Sequence, residues 1–181
     1  MGRYILVTGG ARSGKSRFAQ ELAGKLSKSV LFVATAEALD EEMRQRIEAH
    51  RKSRPATWQT LEAPSDVGKT IQKNAGKSHI VIIDCITLLL NNIFNQGCRG
   101  EQIDMALIEK KLDSEIKDLL ACIKKIEGIF IIVTNEVGMG IVPDNPQARL
   151  YRDLLGTANQ KLAQNAAEVY LMVAGLPVTV K

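Results

Sequence analysis

The chain has 181 residues, 45% of them hydrophobic and 24% charged, with a formal net charge of +4. That balance is enough to bury a core, excludes a disordered polyelectrolyte, and at ~100–200 residues per domain predicts one domain over residues 1–181. The three cysteines, Cys85, Cys98 and Cys122, are odd in number and form no C-x-x-C pair, which argues against a disulfide framework and a zinc site.

The longest nearly apolar stretch, Val169 to Val180, is interrupted by Gly175 and Pro177 and falls short of the ~20 residues of a membrane span. Met1 to Ile5 leads directly into a strand-like segment with no signal-peptide pattern, so a cytoplasmic protein is expected. Charge is unevenly spread: residues 1–60 hold 11 Lys/Arg against 6 Asp/Glu, and the remainder 13 against 14. A basic first third attracts anions, phosphate-bearing small molecules included. There is no Lys/Arg run and only 4% aromatic residues, which disfavours base stacking along a nucleic acid.

In chain order, Tyr4–Thr8 reads as a strand, Ser16–Leu26 as a helix and Val30–Ala34 as a strand. Leu39–Ser53 is a charged helix whose Leu39, Met43 and Ile47 recur at steps of four. Thr57–Leu61 is a short strand and Val67–Asn74 a helix. His79–Asp84 is a continuous apolar run ending in an acid, as expected of a strand buried on both faces. Helices are predicted over Thr87–Asn95 and Glu101–Glu127, then a second buried strand over Ile129–Thr134. A Gly/Pro-bearing loop covers Asn135–Pro146, a helix Gln147–Asn165, and closing strands Glu168–Ala174 and Pro177–Val180. Strands separated by helices imply an α/β fold with a mostly parallel central sheet and helices on both faces.

Gly9-Gly10-Ala11-Arg12-Ser13-Gly14-Lys15-Ser16 fits G-x-x-x-x-G-K-S between a strand and a helix. The glycines let backbone N–H groups converge on phosphate oxygens, and the following helix offers its positive end to the same anion. Lys15 would neutralise the β- and γ-phosphates, and the Ser16 hydroxyl would ligate Mg²⁺. Asp84, at the end of a buried strand, is the second candidate metal ligand, with a helix N-cap as its alternative role. Glu62 and Glu136, also at strand ends, are weaker candidates. Alone, these features mean a P-loop nucleotide-binding protein and do not choose between kinase, GTPase and motor ATPase; a RecA-like ATPase acting on nucleic acid and a simple small-molecule kinase are the competing readings.

Glu42, Arg46, His50 and Arg54 recur at steps of four. The bland reading of His50 is a solvated surface residue. Nearby arginines disfavour the imidazolium, however, and a neutral ring is a nucleophile suited to a phosphoramidate bond. His79 is assigned no chemistry. Trp58 reads as core more than as a base-stacking platform, and the Asn135–Pro143 loop either as a glycine-bearing connection or as a contact surface.

Four segments, ILVTGGARSGKS (Ile5–Ser16), Ala34-Thr35-Ala36 with Asp40–Met43, RIEAHRKSRP (Arg46–Pro55) and TNEVGMGIVP (Thr134–Pro143), resemble the bifunctional adenosylcobinamide kinase/adenosylcobinamide-phosphate guanylyltransferases of cobalamin biosynthesis. Tyr151-Arg152-Asp153 and Asn159–Ala163 look like the same family. The resemblance implies a RecA-like, three-layer P-loop NTPase fold, a homotrimer, ATP, GTP and adenosylcobinamide as ligands, and Mg²⁺. It implies phosphorylation of the aminopropanol hydroxyl, then GMP transfer from GTP through a covalent guanylyl-histidine, with His50 at the family's histidine position and Lys15 beside the phosphates. Carried over residue by residue, nucleotide contacts fall on Gly9 to Ser16, Ala34, Thr35, Ala36, Arg51, Lys52, Ser53, Arg54, Glu62 and Asp84. Ala49 stands where some relatives have a second histidine. The Asn135–Pro143 loop would then meet the corrinoid or a neighbouring subunit.

Overall fold

A computed structural model describes residues 2–38, 41–52, 54–76, 78–99 and 102–181, without the side chains of Glu42, Arg46, His50, Cys98, Arg99 and Gln102. The elements are β1 (Arg3–Gly9), α1 (Lys15–Leu26), β2 (Val30–Ala34), α2 (Glu41–Lys52), β3 (Gln59–Glu62), α3 (Val67–Asn74), β4 (Ile80–Asp84) and α4 (Ile86–Gly97). After them come β5 (Cys98–Arg99), β6 (Gln102–Ile103), α5 (Met105–Lys125), β7 (Ile129–Val133), α6 (Pro146–Asn165), β8 (Glu168–Val173) and β9 (Leu176–Thr179).

Seven strands form one sheet in the order β3-β2-β4-β7-β1-β8-β9. The first six run parallel and β9 returns antiparallel to β8. The strand period of two sorts side chains to opposite faces. On β1, Tyr4 and Leu6 join the apolar cluster built with α3, α4, α5 and α6, whereas Ile5 and Val7 join the cluster containing Ala19 and Ala23 of α1. Both faces are therefore covered, which is why β2 and β4 read as unbroken apolar runs. This is the three-layer, mostly parallel α/β arrangement expected of a P-loop NTPase fold.

The helix expected from Glu101 begins instead at Met105. Asp104 caps it, its Oδ1 accepting from the Leu107 N–H at 2.9 Å. Ahead of it lies a short antiparallel ladder, Cys98 and Arg99 against Ile103 and Gln102. Asn145 likewise caps α6, accepting from Gln147 and Ala148, with Pro146 in the first turn where no amide donor is needed. Trp58 is half-buried and packs against the cluster on the α1 face, as core.

Candidate functional site

The P-loop follows β1 and bends sharply. Gly9 has φ +149° and Gly14 φ +94°, both in the region that favours glycine. Space demands glycine as well: a Cβ on Gly9 would stand 2.6 Å from the Met172 carbonyl oxygen, and one on Gly14 3.1 Å from Cα of Gly175. Gly14 is the N-cap of α1 and supplies no side-chain cap, leaving the first-turn amides of that helix for another acceptor. Lys15 is buried and its Nζ donates to the Gly10 carbonyl at 2.6 Å. Burial pulls its pKa below the ordinary lysine value, while Cys85 and Asp84 oppose that shift. The Ser13 hydroxyl is buried with no hydrogen-bond partner among the described residues. Together these are the features of an anion cradle.

The loop forms one wall of a cavity of about 430 Å³, within the ~300–1,000 Å³ usual for small-ligand sites. Residues 11–17 line that wall. The interior strands supply Phe32 and Ala34 (β2), Asp84 (β4) and Val133 (β7), with Ala36 and Asn135 just beyond the ends of β2 and β7. Met43 and Ile47 of α2 also line the cavity, and Arg54, Cys85 and Leu88 complete it.

Arg54 reaches the cavity in an unexpected way. The helix stripe shared with His50 does not carry it, because α2 ends at Lys52, one turn before Pro55. Past that end, its guanidinium lies over the Phe32 ring, 3.5 Å from the centroid, and Nη1 donates to Thr60 Oγ1 at 3.3 Å. Its Nε is buried without a partner among the described residues. Burial lowers its pKa; Asp84 opposes that shift and Arg51 adds to it.

The structure thus brings together Ala11, Arg12, Ser13, Gly14, Lys15, Ser16, Ala34, Ala36, Arg54 and Asp84. Gly9 and Gly10 shape the loop from behind. Thr35 lies beneath the cavity and does not line it. It has no exposed surface; its hydroxyl donates to the Cys85 carbonyl at 2.7 Å and accepts from the Cys85 N–H at 2.8 Å. Its own carbonyl takes the Asn92 amide at 2.8 Å, so Thr35 holds two strand ends together and its polar atoms are already committed. Arg51 and Lys52 are exposed on α2 and do not line the cavity, nor does the exposed Glu62 on the edge strand β3. Glu62 is four strands from β1, roughly 19 Å at ~4.8 Å per strand. Ser53 and the side chains of Glu42, Arg46 and His50 lie outside the described residues; the His50 backbone is in α2, three positions after Ile47.

The family described as cobinamide kinase / cobinamide phosphate guanyltransferase matches residues 5–180 of this chain. The bifunctional adenosylcobalamin biosynthesis protein CobU of Salmonella typhimurium is 44% identical over 180 residues, covering 98% of this chain and 99% of its own. The protein of the same name from Escherichia coli is 42% identical over the same shares. The bifunctional adenosylcobalamin biosynthesis protein CobP of Pseudomonas aeruginosa is 40% identical over 176 residues, 97% and 96% of the two chains. The chain belongs to the cobinamide kinase / cobinamide phosphate guanyltransferase family.

Several residues that carry this family resemblance have structural work around the cavity. Thr134 Oγ1 donates to Asn159 Oδ1 at 2.8 Å, and Asn159 Nδ2 donates to the Asn135 carbonyl at 2.9 Å. The Asn135 N–H donates to Thr87 Oγ1 at 2.8 Å, and the Tyr151 hydroxyl donates to the Thr87 carbonyl at 2.8 Å. α4 and α6 thereby fix the start of the loop after β7, and with it Asn135 on the cavity wall. Sequence reasoning missed Phe32, in the middle of β2, Leu88, in the first turn of α4, and Val133, whose position at the C-terminus of β7 was the available signal.

The Ser16 hydroxyl and the Asp84 carboxylate share this cavity. No group of three or more His, Cys, Asp or Glu side chains that could hold a metal occurs among the described residues. Two hard oxygen donors beside a phosphate cradle fit Mg²⁺, which takes its remaining ligands from phosphate and water. Among the described residues, no helix is long and apolar enough to cross a membrane.

Proposed function

We propose that this chain phosphorylates adenosylcobinamide and then transfers GMP to the product, using the P-loop cavity for the nucleotide and His50 as the covalent carrier. One observation carries the reading. A nucleotide-sized cavity is walled on one side by the P-loop and on another by Met43 and Ile47 of α2, the helix that bears His50.

In the kinase step the aminopropanol hydroxyl oxygen attacks the γ-phosphorus of ATP or GTP. A P–O bond forms, the bond to the β-bridging oxygen breaks, and the nucleoside diphosphate leaves as the hydroxyl proton departs. In the second reaction an imidazole nitrogen of His50 attacks the α-phosphorus of GTP, forming a P–N bond and releasing pyrophosphate. A phosphate oxygen of adenosylcobinamide phosphate then attacks the same phosphorus; the P–N bond breaks and adenosylcobinamide-GDP is released. Lys15 and the loop amides stabilise charge on the departing phosphates, and Arg54 places a further cation at the cavity wall. Mg²⁺ held by Ser16 and Asp84 would supply Lewis-acid neutralisation of phosphate charge. Ala34 and Ala36 lie where the nucleoside extends along the sheet edge toward Glu62, and Arg51, Lys52 and Ser53 reach it through rearrangement at the end of α2.

The same reading takes the working assembly as a cytoplasmic homotrimer without a nucleic-acid partner. The exposed apolar tip of the loop after β7, with Met139 78%, Ile141 97% and Val142 59% exposed, suits a surface covered in that assembly.

Incubation with α-labelled GTP should leave acid-labile, alkali-stable label on the protein, mapping to His50. His50→Ala should lose the label and keep phosphorylating cobinamide. Label retained in His50→Ala would remove the histidine from this role, and γ- but not α-label transfer to corrinoid would reduce the chain to a simple kinase.

A further inference from the structure

The two-residue turn that joins β8 to β9 is built into the back of the P-loop. Val173 pairs with Leu176, so Ala174 and Gly175 alone make the turn. Both have positive φ, +51° and +85°, the type I′ geometry that matches strand twist. The Gly175 N–H leaves the hairpin and donates to the Ser13 carbonyl at 3.0 Å. The contact is close at both glycines: a Cβ on Gly9 would stand 2.6 Å from the Met172 carbonyl oxygen, and one on Gly14 3.1 Å from Cα of Gly175.

In a trans peptide the carbonyl and the following N–H point in opposite directions. Holding the Ser13 carbonyl against the hairpin therefore turns the Gly14 N–H the other way, from a residue that lines the cavity. We propose that Gly175 is a positioning residue for the nucleotide reactions: its amide anchors the Ser13 carbonyl and so aims the Gly14 N–H at the β- and γ-phosphates. The donor never touches substrate. It acts by fixing one peptide plane before the triphosphate arrives, so that the loop need not reorganise on binding.

This rests on residues 9–16 being the triphosphate cradle, and the test separates the two. A Cβ at position 175 meets nothing within 4 Å, so substitution there acts through φ and not through a clash. Gly175→Val, with a β-branched residue that resists positive φ, shifts the amide; Gly175→Asn, which tolerates that conformation, keeps it. Titration of each variant with GTP and with GMP is the measurement. Gly175→Val should weaken GTP about tenfold or more and leave GMP within about twofold, and Gly175→Asn should bind GTP within about threefold of wild type.

Retention of the GTP preference in Gly175→Val, or equal loss of both nucleotides, overturns the proposal. A wild-type protein with no preference for GTP over GMP would instead overturn the cradle reading. Should Gly175→Val not fold, hydrogen exchange of the wild-type protein decides. GTP must slow exchange of the Gly175 amide about tenfold beyond GMP, and equal exchange in both complexes refutes the anchor.

Discussion

The Arg54 guanidinium rests on the Phe32 ring at 3.5 Å, joining a residue just past the end of α2 to the middle of β2. Phe32 is 1% exposed and fixed by the sheet, so the ring acts as a rigid seat for a cation at the cavity wall. Lysine keeps the charge but neither the planar stacking nor the fork of donors. Arg54→Lys should lower nucleotide affinity roughly 5- to 30-fold, the equivalent of about 1–2 kcal/mol of cation–π and hydrogen-bond energy. Phe32→Leu should shift affinity in the same direction although leucine still fills the core. Nucleotide titration alongside urea unfolding checks both, and loss confined to stability would contradict the seat.

Thr35 makes a two-way bond with the Cys85 backbone, donating at 2.7 Å and accepting at 2.8 Å. Thr35→Val is nearly the same size but leaves the buried Cys85 N–H without its acceptor, while the Cys85 carbonyl keeps the Leu89 N–H at 3.2 Å. A loss of about 1–3 kcal/mol in unfolding free energy is expected, at unchanged denaturant slope, whereas Thr35→Ser should lose under about 1 kcal/mol. A valine variant of full stability with selectively weakened GTP binding would show that Thr35 is a direct nucleotide contact.

Asp113 of α5 pairs with Lys117 one turn on in the same helix at 2.5 Å and with Lys161 of α6 at 2.8 Å, and these bonds hold its carboxyl down to about 2 from 3.8. A depressed carboxylate favours the folded state above its ordinary pKa, and that contribution is lost as pH falls through about 2. Thermal midpoints should therefore fall more between about pH 4 and pH 2 in the wild type than in Asp113→Asn. Raising salt should shrink the difference, because the pair is exposed. Identical acid profiles for the two proteins would show that the pair contributes nothing.

Ser16 and Asp84 are the hydroxyl and carboxylate proposed to hold Mg²⁺. Chelation should stop both the kinase and the guanylyl-transfer reactions. Ser16→Ala should raise the Mg²⁺ concentration for half-maximal rate about tenfold while leaving the protein folded. Asp84→Asn should lower the maximal rate of both reactions. Unchanged Mg²⁺ dependence in both variants would place the metal elsewhere.

Most of the sheet was legible from period and composition. Val30–Ala34 and Ile80–Asp84 are continuous apolar runs because helices cover both faces, and Val67–Asn74 is helical where its pattern predicted. The P-loop was legible because its glycines, lysine and serine are adjacent in sequence. Relations across distant segments were not. No local pattern says that the Thr35 hydroxyl is consumed by Cys85, that Arg54 leaves its helix to lie on Phe32, or that Gly175 meets Ser13. The Cys98–Ile103 ladder escaped because its strands are two residues each, too short for any period to show. Asp104 then ends the non-helical stretch by capping α5, a stop visible only once its side chain is seen bonded to Leu107.

The register of β1 sets the order in which the molecule can be completed during synthesis. Its neighbours are Ile129–Val133 on one side and Glu168–Met172 on the other, so the strand that delivers the phosphate loop emerges first and waits for partners made in the last third of the chain. A nascent chain holding every motif residue but ending before Met172 has an open edge where the hairpin should stand. Removing the hairpin would thus strip the P-loop of the Met172 and Gly175 wall against which Gly9 and Gly14 pack, though every signature residue of the loop would be present.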